Sequence, residues 1–299
     1  MRTKLAAAVL AALLCAPAMA DEKPAEKISE QQFLSSLQYR SGDVALGDAG
    51  ATLHVKPGFR YLGHDVARKV LEDYWGNPPD DDVLGLLVPD NAALGADHSW
   101  AVVVTYADEG HVSDEDAAKV DYDQVMKEMK ESAAEANAER KEQGYSAVDI
   151  VGWAQPPRYD AASKRIYWAR ELDFKDAAAH TLNYDIRVLG REGYLSMNAV
   201  ADMADMNMVQ AGMGQVLPMA EFDAGKRYAD YQPGKDKLAA YGLAALVGGG
   251  IAAKAGLFAK LGVFLLAFKK VIIAGVVGVG ALAKKMFSGK DKRDGGTVA

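Results

Sequence analysis

Cysteine is almost missing from this chain of 299 residues: there is one, Cys15. The first twenty residues follow the order of a secretory signal, with Arg2 and Lys4 in front, an apolar run from Leu5 to Leu14, and the small-x-small cleavage site Ala18-Met19-Ala20. Cleavage there starts the mature chain at Asp21 and discards Cys15, which excludes disulfides, thiolate metal sites and a cysteine nucleophile. Leu14, standing where a lipid-attachment signal needs a small residue, argues against acylation of Cys15.

Histidine is also scarce. No two of His54, His64, His98, His111 and His180 have the three- or four-residue spacing that puts two ligands on one helix face, so no metal site is expected. No serine lies in a Gly-x-Ser-x-Gly turn, and the glycine clusters at Gly212-Met213-Gly214 and Gly248-Gly249-Gly250 lack the strand that precedes a nucleotide loop. Neither a catalytic set nor a cofactor is read from the sequence.

An uninterrupted apolar run long enough to cross a bilayer is absent too, though the C-terminal part comes close. Leu238 to Ala283 is mostly Ala, Gly, Val, Leu, Ile and Phe, broken by Lys254, Lys260 and Lys269-Lys270. A spanning helix needs about 20 largely apolar residues, and a lysine at its centre costs about 2.5–3.5 kcal/mol unless it snorkels or is buried against protein. One tilted span from the first half, one span in the second half, or a helical hairpin would fit. A single span is favoured, because it leaves the basic tail inside and the domain outside. Residues 236–285 are therefore expected as an apolar transmembrane anchor in membrane lipid, and 286–299 as a basic cytoplasmic tail. Gly248, Ala252 and Gly256 repeat at four-residue spacing and would let a second copy of the helix approach closely.

The formal net charge is −7, but the signal carries +2 and the stretch from Asp236 onward +7, which leaves −16 on Asp21 to Lys235. An acidic body of this kind repels phosphate backbones, so nucleic acid is not expected as a partner. Residues 21–43 read as a mobile acidic lead, and 44–235 as one acidic α+β domain on the periplasmic side of a bacterial inner membrane.

Within that domain, Ala51 to Val55 and Phe59 to Leu62 read as strands around the turn Pro57-Gly58, and Asp65 to Trp75 as a helix ended by Asn77-Pro78-Pro79. Val83 to Val88 and the valine-rich Trp100 to Tyr106 are strand-like, the second central in a sheet. Asp121 to Gln143 is the clearest helix, with Asp121 and Gln124 as a capping box, Gly144 as C-terminal cap, and a far half, Arg140 included, expected in solvent. Ala147–Ala154, Arg165–Phe174, Thr181–Leu189 and Tyr194–Val200 then follow with short links, which predicts an antiparallel β-meander packed with two or three helices. The last helix is expected over Met203 to Val216, its methionines facing the core. The carboxylates between Asp108 and Asp123 lack an EF-hand pattern and read as a solvated, capping loop.

The meander carries the candidate ligand-binding residues: Trp153, Trp168, Arg170, Glu171, Asp185 and Arg187. Alternation along strands lets Arg170, Asp185 and Arg187 share a face with aromatics, as a groove for a peptide or glycan would need. Cross-strand ion pairs on an exposed face use the same residues and no ligand, and that reading is preferred.

Trp75-Gly76-Asn77-Pro78-Pro79, Gly152-Trp153-Ala154-Gln155-Pro156-Pro157, Thr181 through Arg191 (TLNYDIRVLGR) and Lys237 through Leu243 (KLAAYGL) resemble the uncharacterised bacterial membrane-anchored proteins grouped as domain of unknown function 2167. The resemblance runs over nearly all of the chain from residue 40 to residue 287. It implies a bacterial, membrane-anchored protein and brings no activity or catalytic residue with it. The expected role is a non-enzymatic binding or scaffolding module of the cell envelope, with a protein partner or self-association. The alternative is an envelope hydrolase acting on peptidoglycan, lipid or protein through Asp185, Arg187, Glu171 and Trp153, and a third reading makes the acidic loop an ion sensor.

Overall fold

The computed structural model describes residues 29–249 apart from Pro78 and Gln143. The expected signal peptide, most of the expected acidic lead, Ala252, Gly256 and the expected anchor and tail past Gly249 lie outside the described residues. The chain forms two compact units, one ending at Ser36 and the other beginning at Leu37. The first contains helix α1 (Glu30–Ser36), where the sequence suggests a mobile lead. A reciprocal box starts it: the Ser29 hydroxyl accepts from the Gln32 N–H, and the Gln32 side chain accepts from the Ser29 N–H.

In the second unit come β1 (Gly42–Ala45), β2 (Ala51–Val55), β3 (Phe59–Gly63), α2 (His64–Arg68), β4 (Val83–Pro89), β5 (Ala101–Ala107), β6 (His111–Ser113), α3 (Tyr122–Glu142) and β7 (Val148–Asp160). They are followed by β8 (Arg165–Phe174), β9 (Thr181–Leu189), β10 (Tyr194–Asp202), α4 (Met206–Val216), β11 (Ala220–Phe222), β12 (Leu238–Gly242) and α5 (Leu243–Gly248). A seven-stranded sheet in the order β3-β4-β5-β10-β9-β8-β7 dominates, antiparallel at every step. The class is α+β with an antiparallel meander over β7 to β10, and the α-helical segments number five among the described residues rather than two or three.

Short links make consecutive strands neighbours. Between β9 and β10 the Gly190 N–H donates to the Gly193 carbonyl at 2.8 Å, closing the turn. The strand expected to stop at Ala154 runs on through Pro156 and Pro157 to Asp160, because β7 is an edge strand. A proline donates nothing to a ladder, and here the prolines fall in a stretch where the register slips between Gln155 and Arg158.

Ala51–Val55 and Phe59–Gly63 are both strands, yet they join different sheets: β2 sits between β1 and β11, and β3 pairs with β4. The helix after β3 widens to a π-turn over Lys69–Tyr74, with the Trp75 N–H on the Val70 carbonyl, and buries Val70 and Leu71. In α3 the Asp121 carboxylate accepts from the Asp123 and Gln124 N–H groups, while the Gln124 side chain turns to Glu128 rather than back to the cap. Arg140, expected in solvent, is buried, folding over so that Nε donates to the Ser146 carbonyl at 2.9 Å.

Each face of the large sheet is covered. On the first lie α4 and the small β1-β2-β11 sheet, and the core between is hydrocarbon: Leu53, Val55, Val102, Val104, Leu182, Ile186, Leu195, Met197, Val209 and Met213. Fully burying side chains of this size stabilises by roughly 1.5–3 kcal/mol each. Gly212 of α4 lets the helix close on Trp100, since a Cβ there would meet the indole at 2.5 Å. On the second face lie α3, α5 and the β6–β12 pair, with Val125, Met129, Ile166, Trp168, Tyr194, Leu243, Leu246 and Val247.

The start of the expected anchor belongs to this second core. Leu238–Gly242 pairs in parallel with β6, and Leu243, Leu246 and Val247 of α5 pack inward before Gly249 ends the helix in the left-handed region. The folded domain therefore continues past residue 235, because an apolar stretch beside an open sheet edge and the apolar side of α3 is buried there. Among the described residues no helix is long and apolar enough to cross a membrane. A Cβ at Gly248 would meet Val125 at 3.4 Å, so this member of the expected glycine ladder faces α3 of its own domain.

Candidate functional site

Strand β9 reads Thr-Leu-Asn-Tyr-Asp-Ile-Arg-Val-Leu and is buried at every residue. Its period of two sends Leu182, Tyr184, Ile186 and Val188 into the first core and Asn183, Asp185 and Arg187 onto the second face. Pairing completes a polar patch there: Trp168 of β8 and Asn198 of β10 stand opposite Asp185, Arg170 stands opposite Asn183, and Ser196 opposite Arg187.

At the centre is Asp185, 0% exposed, with both oxygens engaged. One accepts from Arg170 Nη2 at 2.9 Å; the other accepts from Asn198 Nδ2 at 2.9 Å and lies 3.0 Å from Arg187 Nη1. Arg170 also donates to Asn183 Oδ1, and Asn183 Nδ2 donates to Asn198 Oδ1 at 3.1 Å. Arg187 stacks over Trp168 and Tyr194, with its guanidinium carbon 5.2 and 5.8 Å from the ring centroids. Moving ions out of water costs several kcal/mol each after relaxation, and that cost is offset only when charges meet and spare lone pairs are filled. Burial lowers the pKa of Arg170, with Asp185 opposing the shift and Arg187 adding to it. Tyr194 is pushed up to about 12, first by burial.

Of the six residues singled out in the sequence, Trp153, Trp168, Arg170, Asp185 and Arg187 share this face. Trp153 stands opposite Arg170 and donates its indole N–H to the Tyr122 carbonyl at 3.3 Å. Glu171 is on the other face, opposite Leu182, and binds His180 at 2.6 Å. The patch is not the open sheet surface suggested by the sequence, since Arg170 and Arg187 are 8% and 7% exposed. Asn183, Ser196 and Asn198 were missed as members, although the alternation of Ser196 and Asn198 within an apolar strand was a legible signal.

A second polar cluster holds the last segment of the domain. Asp114 accepts from the Tyr159 hydroxyl at 2.5 Å, Lys164 Nζ at 2.6 Å and the Tyr228 hydroxyl at 2.9 Å. Burial raises the Asp114 carboxyl, but these hydrogen bonds outweigh it and bring the group down to about 2. The His111 ring stacks on Tyr231 at 3.9 Å and against Tyr228 at 4.2 Å, and burial lowers its pKa. Arg191 grips Asp236 with two bonds of 2.7 and 2.8 Å. Other carboxylates of the acidic loop also make internal contacts: Asp121 caps α3 and Asp116 accepts from the Leu243 N–H. Among the described residues no group of three or more carboxylates and histidines is placed to hold a metal ion.

A family model described as "Protein of unknown function (DUF2167)" matches residues 38–280, including both clusters. The chain belongs to that family. No curated protein matches the DUF2167 chain. Among solved structures it is similar to cyanobacterial PsbP (CyanoP) from Synechocystis sp. PCC 6803, at 11% identity over 62% of this chain and 92% of that one, with a TM-score of 0.33. It is also similar to the Ran-binding protein Mog1p of Saccharomyces cerevisiae, at 12% identity, 62% and 96% coverage and a TM-score of 0.33. For LpqN, involved in cell envelope biogenesis of Mycobacterium tuberculosis, the values are 11%, 64% and 96%, and 0.30. Likeness at that level says nothing of ligand or activity.

Proposed function

We propose that this DUF2167 protein is a non-enzymatic binding module of the bacterial cell envelope, exported by its N-terminal signal and held in the inner membrane by the apolar stretch beyond Gly249. The acidic domain faces the periplasm and binds a protein partner there.

One observation carries the non-enzymatic part. The two carboxylates that a hydrolase would draw from the meander, Glu171 and Asp185, stand on opposite faces of one sheet, and Asp185 is fully enclosed. Acid–base work on a single bond needs both groups within hydrogen-bond reach of it. Support for the address comes from the order of charges, apolar run and cleavage site at the start, and from the apolar C-terminal composition followed by a basic tail.

The full-length chain should sediment with inner membranes. Its domain should become protease-sensitive once the outer membrane is opened, and crosslinking in intact cells should trap a defined companion. Recovery of the mature chain wholly in the soluble fraction would remove the anchoring, and a chain crosslinked to nothing would remove the binding role.

A further inference from the structure

On the second face of the sheet, hydrogen-bond donors and positive charge both exceed what the protein supplies to meet them. Both Asp185 oxygens are taken, the Asn183 carbonyl oxygen accepts from Arg170, and the Asn198 carbonyl oxygen accepts from Asn183. Three buried donors on this face have no protein acceptor: Arg170 Nε, Arg187 Nε and Trp168 Nε1. Buried donors are almost always satisfied, and leaving one unfilled costs about 1–3 kcal/mol, more when it is charged.

Charge runs the same way. Two guanidiniums face one enclosed carboxylate. The next negative group is Glu109, which accepts from the Tyr241 hydroxyl and feels both Arg187 and Lys237. Glu109 makes no ion pair with either arginine, so within ion-pair distance the two guanidiniums share the single carboxylate of Asp185. Water could accept from the free N–H groups, but it brings no charge to balance the surplus.

We propose that Arg170 and Arg187, with the Trp168 indole beside them, form a binding site for a single small oxyanion, the chemistry shared by free phosphate and a phospholipid headgroup. An oxyanion supplies several acceptors and negative charge together, and a guanidinium edge bonds it through paired N–H groups. The arginine side chains are 10% and 9% exposed, too little surface for the peptide or glycan strand of an open groove, and a single small anion is the ligand that their free donors suit. Asp185 has the role of holding both guanidiniums through Nη2 of Arg170 and Nη1 of Arg187, so that their Nε donors stay unspent. The site stands apart from the envelope placement, which can fail while anion binding holds.

The test is the melting temperature of the full-length protein in detergent, titrated with sodium phosphate against sodium chloride at matched ionic strength. A ligand that binds only the folded state raises it in a saturable way. Phosphate should do so and chloride should not. In Arg187→Lys, which keeps the charge but loses the Nε donor, the half-saturating phosphate concentration should rise about ten-fold, as the loss of one charge-assisted hydrogen bond implies. Trp168→Phe, which removes a neutral donor and retains an aromatic ring, should raise it by a smaller factor. Phosphatidylglycerol mixed into the detergent micelles that suppresses the phosphate effect would point to a headgroup as the source of the anion, and phosphatidylglycerol without influence to a soluble ion; either result keeps the site. Equal shifts with phosphate and chloride, or equal phosphate titrations in the parent protein and both variants, would overturn it.

Discussion

Each face of the central sheet is buried under an apolar core, but only the second also encloses a patch of ions and amides. From one strand, Leu182, Tyr184, Ile186 and Val188 go into a core of aliphatic and aromatic side chains, while Asn183, Asp185 and Arg187 go into a patch of ions and amides. Removing an atom from the first face costs packing; removing one from the second strands a charge. Apolar contacts are non-directional and can readjust, whereas a buried charge has no substitute when its partner is lost. The contrast teaches that equal burial does not mean equal purpose: the hydrocarbon face supplies stability, and the ionic face holds particular side chains in particular places.

The largest effect expected from this contrast comes at Asp185. Asp185→Asn keeps the shape and removes the charge, leaving Arg170 and Arg187 uncompensated, and should destabilise by about 3–5 kcal/mol in denaturant unfolding of the full chain. Ile186→Val, one residue away on the hydrocarbon face, should cost about 0.5–1.5 kcal/mol. If the two costs proved equal, the faces would be held together in the same way.

A mid-sized effect is expected at acid pH from the cluster around Asp114. Its folded value of about 2 lies below the model-peptide value of 3.8, so the unfolded chain takes the proton first. The stability it contributes is present above pH 4 and is lost as pH falls through the interval down to 2. Melting temperature followed against pH should decline over that interval, and the decline should be shallower in Asp114→Asn. The buried His111 adds a loss of the same sign nearer neutrality, because its lowered pKa means that the unfolded chain is again protonated first.

The smallest effect is expected at Glu171. Its pair with His180 is solvent-facing, with side chains 29% and 44% exposed, and such pairs contribute about 0–1 kcal/mol. Glu171→Gln should shift the unfolding midpoint by little more than the error of the measurement. A loss rivalling that of Asp185→Asn would mean that the exposed end of β8 is also a charged structural centre.

Much of this is legible in the sequence. Alternation marked β8, β9 and β10, short turn-like links made them neighbours, and Asp121 fixed the start of α3. Asp185 and Arg187 share a face because they stand two apart on one strand, and Arg170 lies on the neighbouring strand among aromatics. Burial of the ionic face was not legible, since alternation says which residues share a face and not what covers it. Nor was the fate of Leu238 to Gly249, whose apolar residues suit lipid or a core equally well; the decision rests on α3 and β6, more than a hundred residues earlier in sequence.

The sequence alone determined the class of the fold, the meander and the acidic charge of the domain, because these follow from local periodicity, turn chemistry and a count of side chains. Tertiary structure alone decided that the polar row of β9 is enclosed, that Glu171 is parted from Asp185, and that the first apolar residues after Lys237 close the domain. The physical reason is that burial belongs to pairs of surfaces. A strand carries its own pattern of hydrogen bonds and faces, but whether a face meets water, lipid or another element depends on segments far away along the chain.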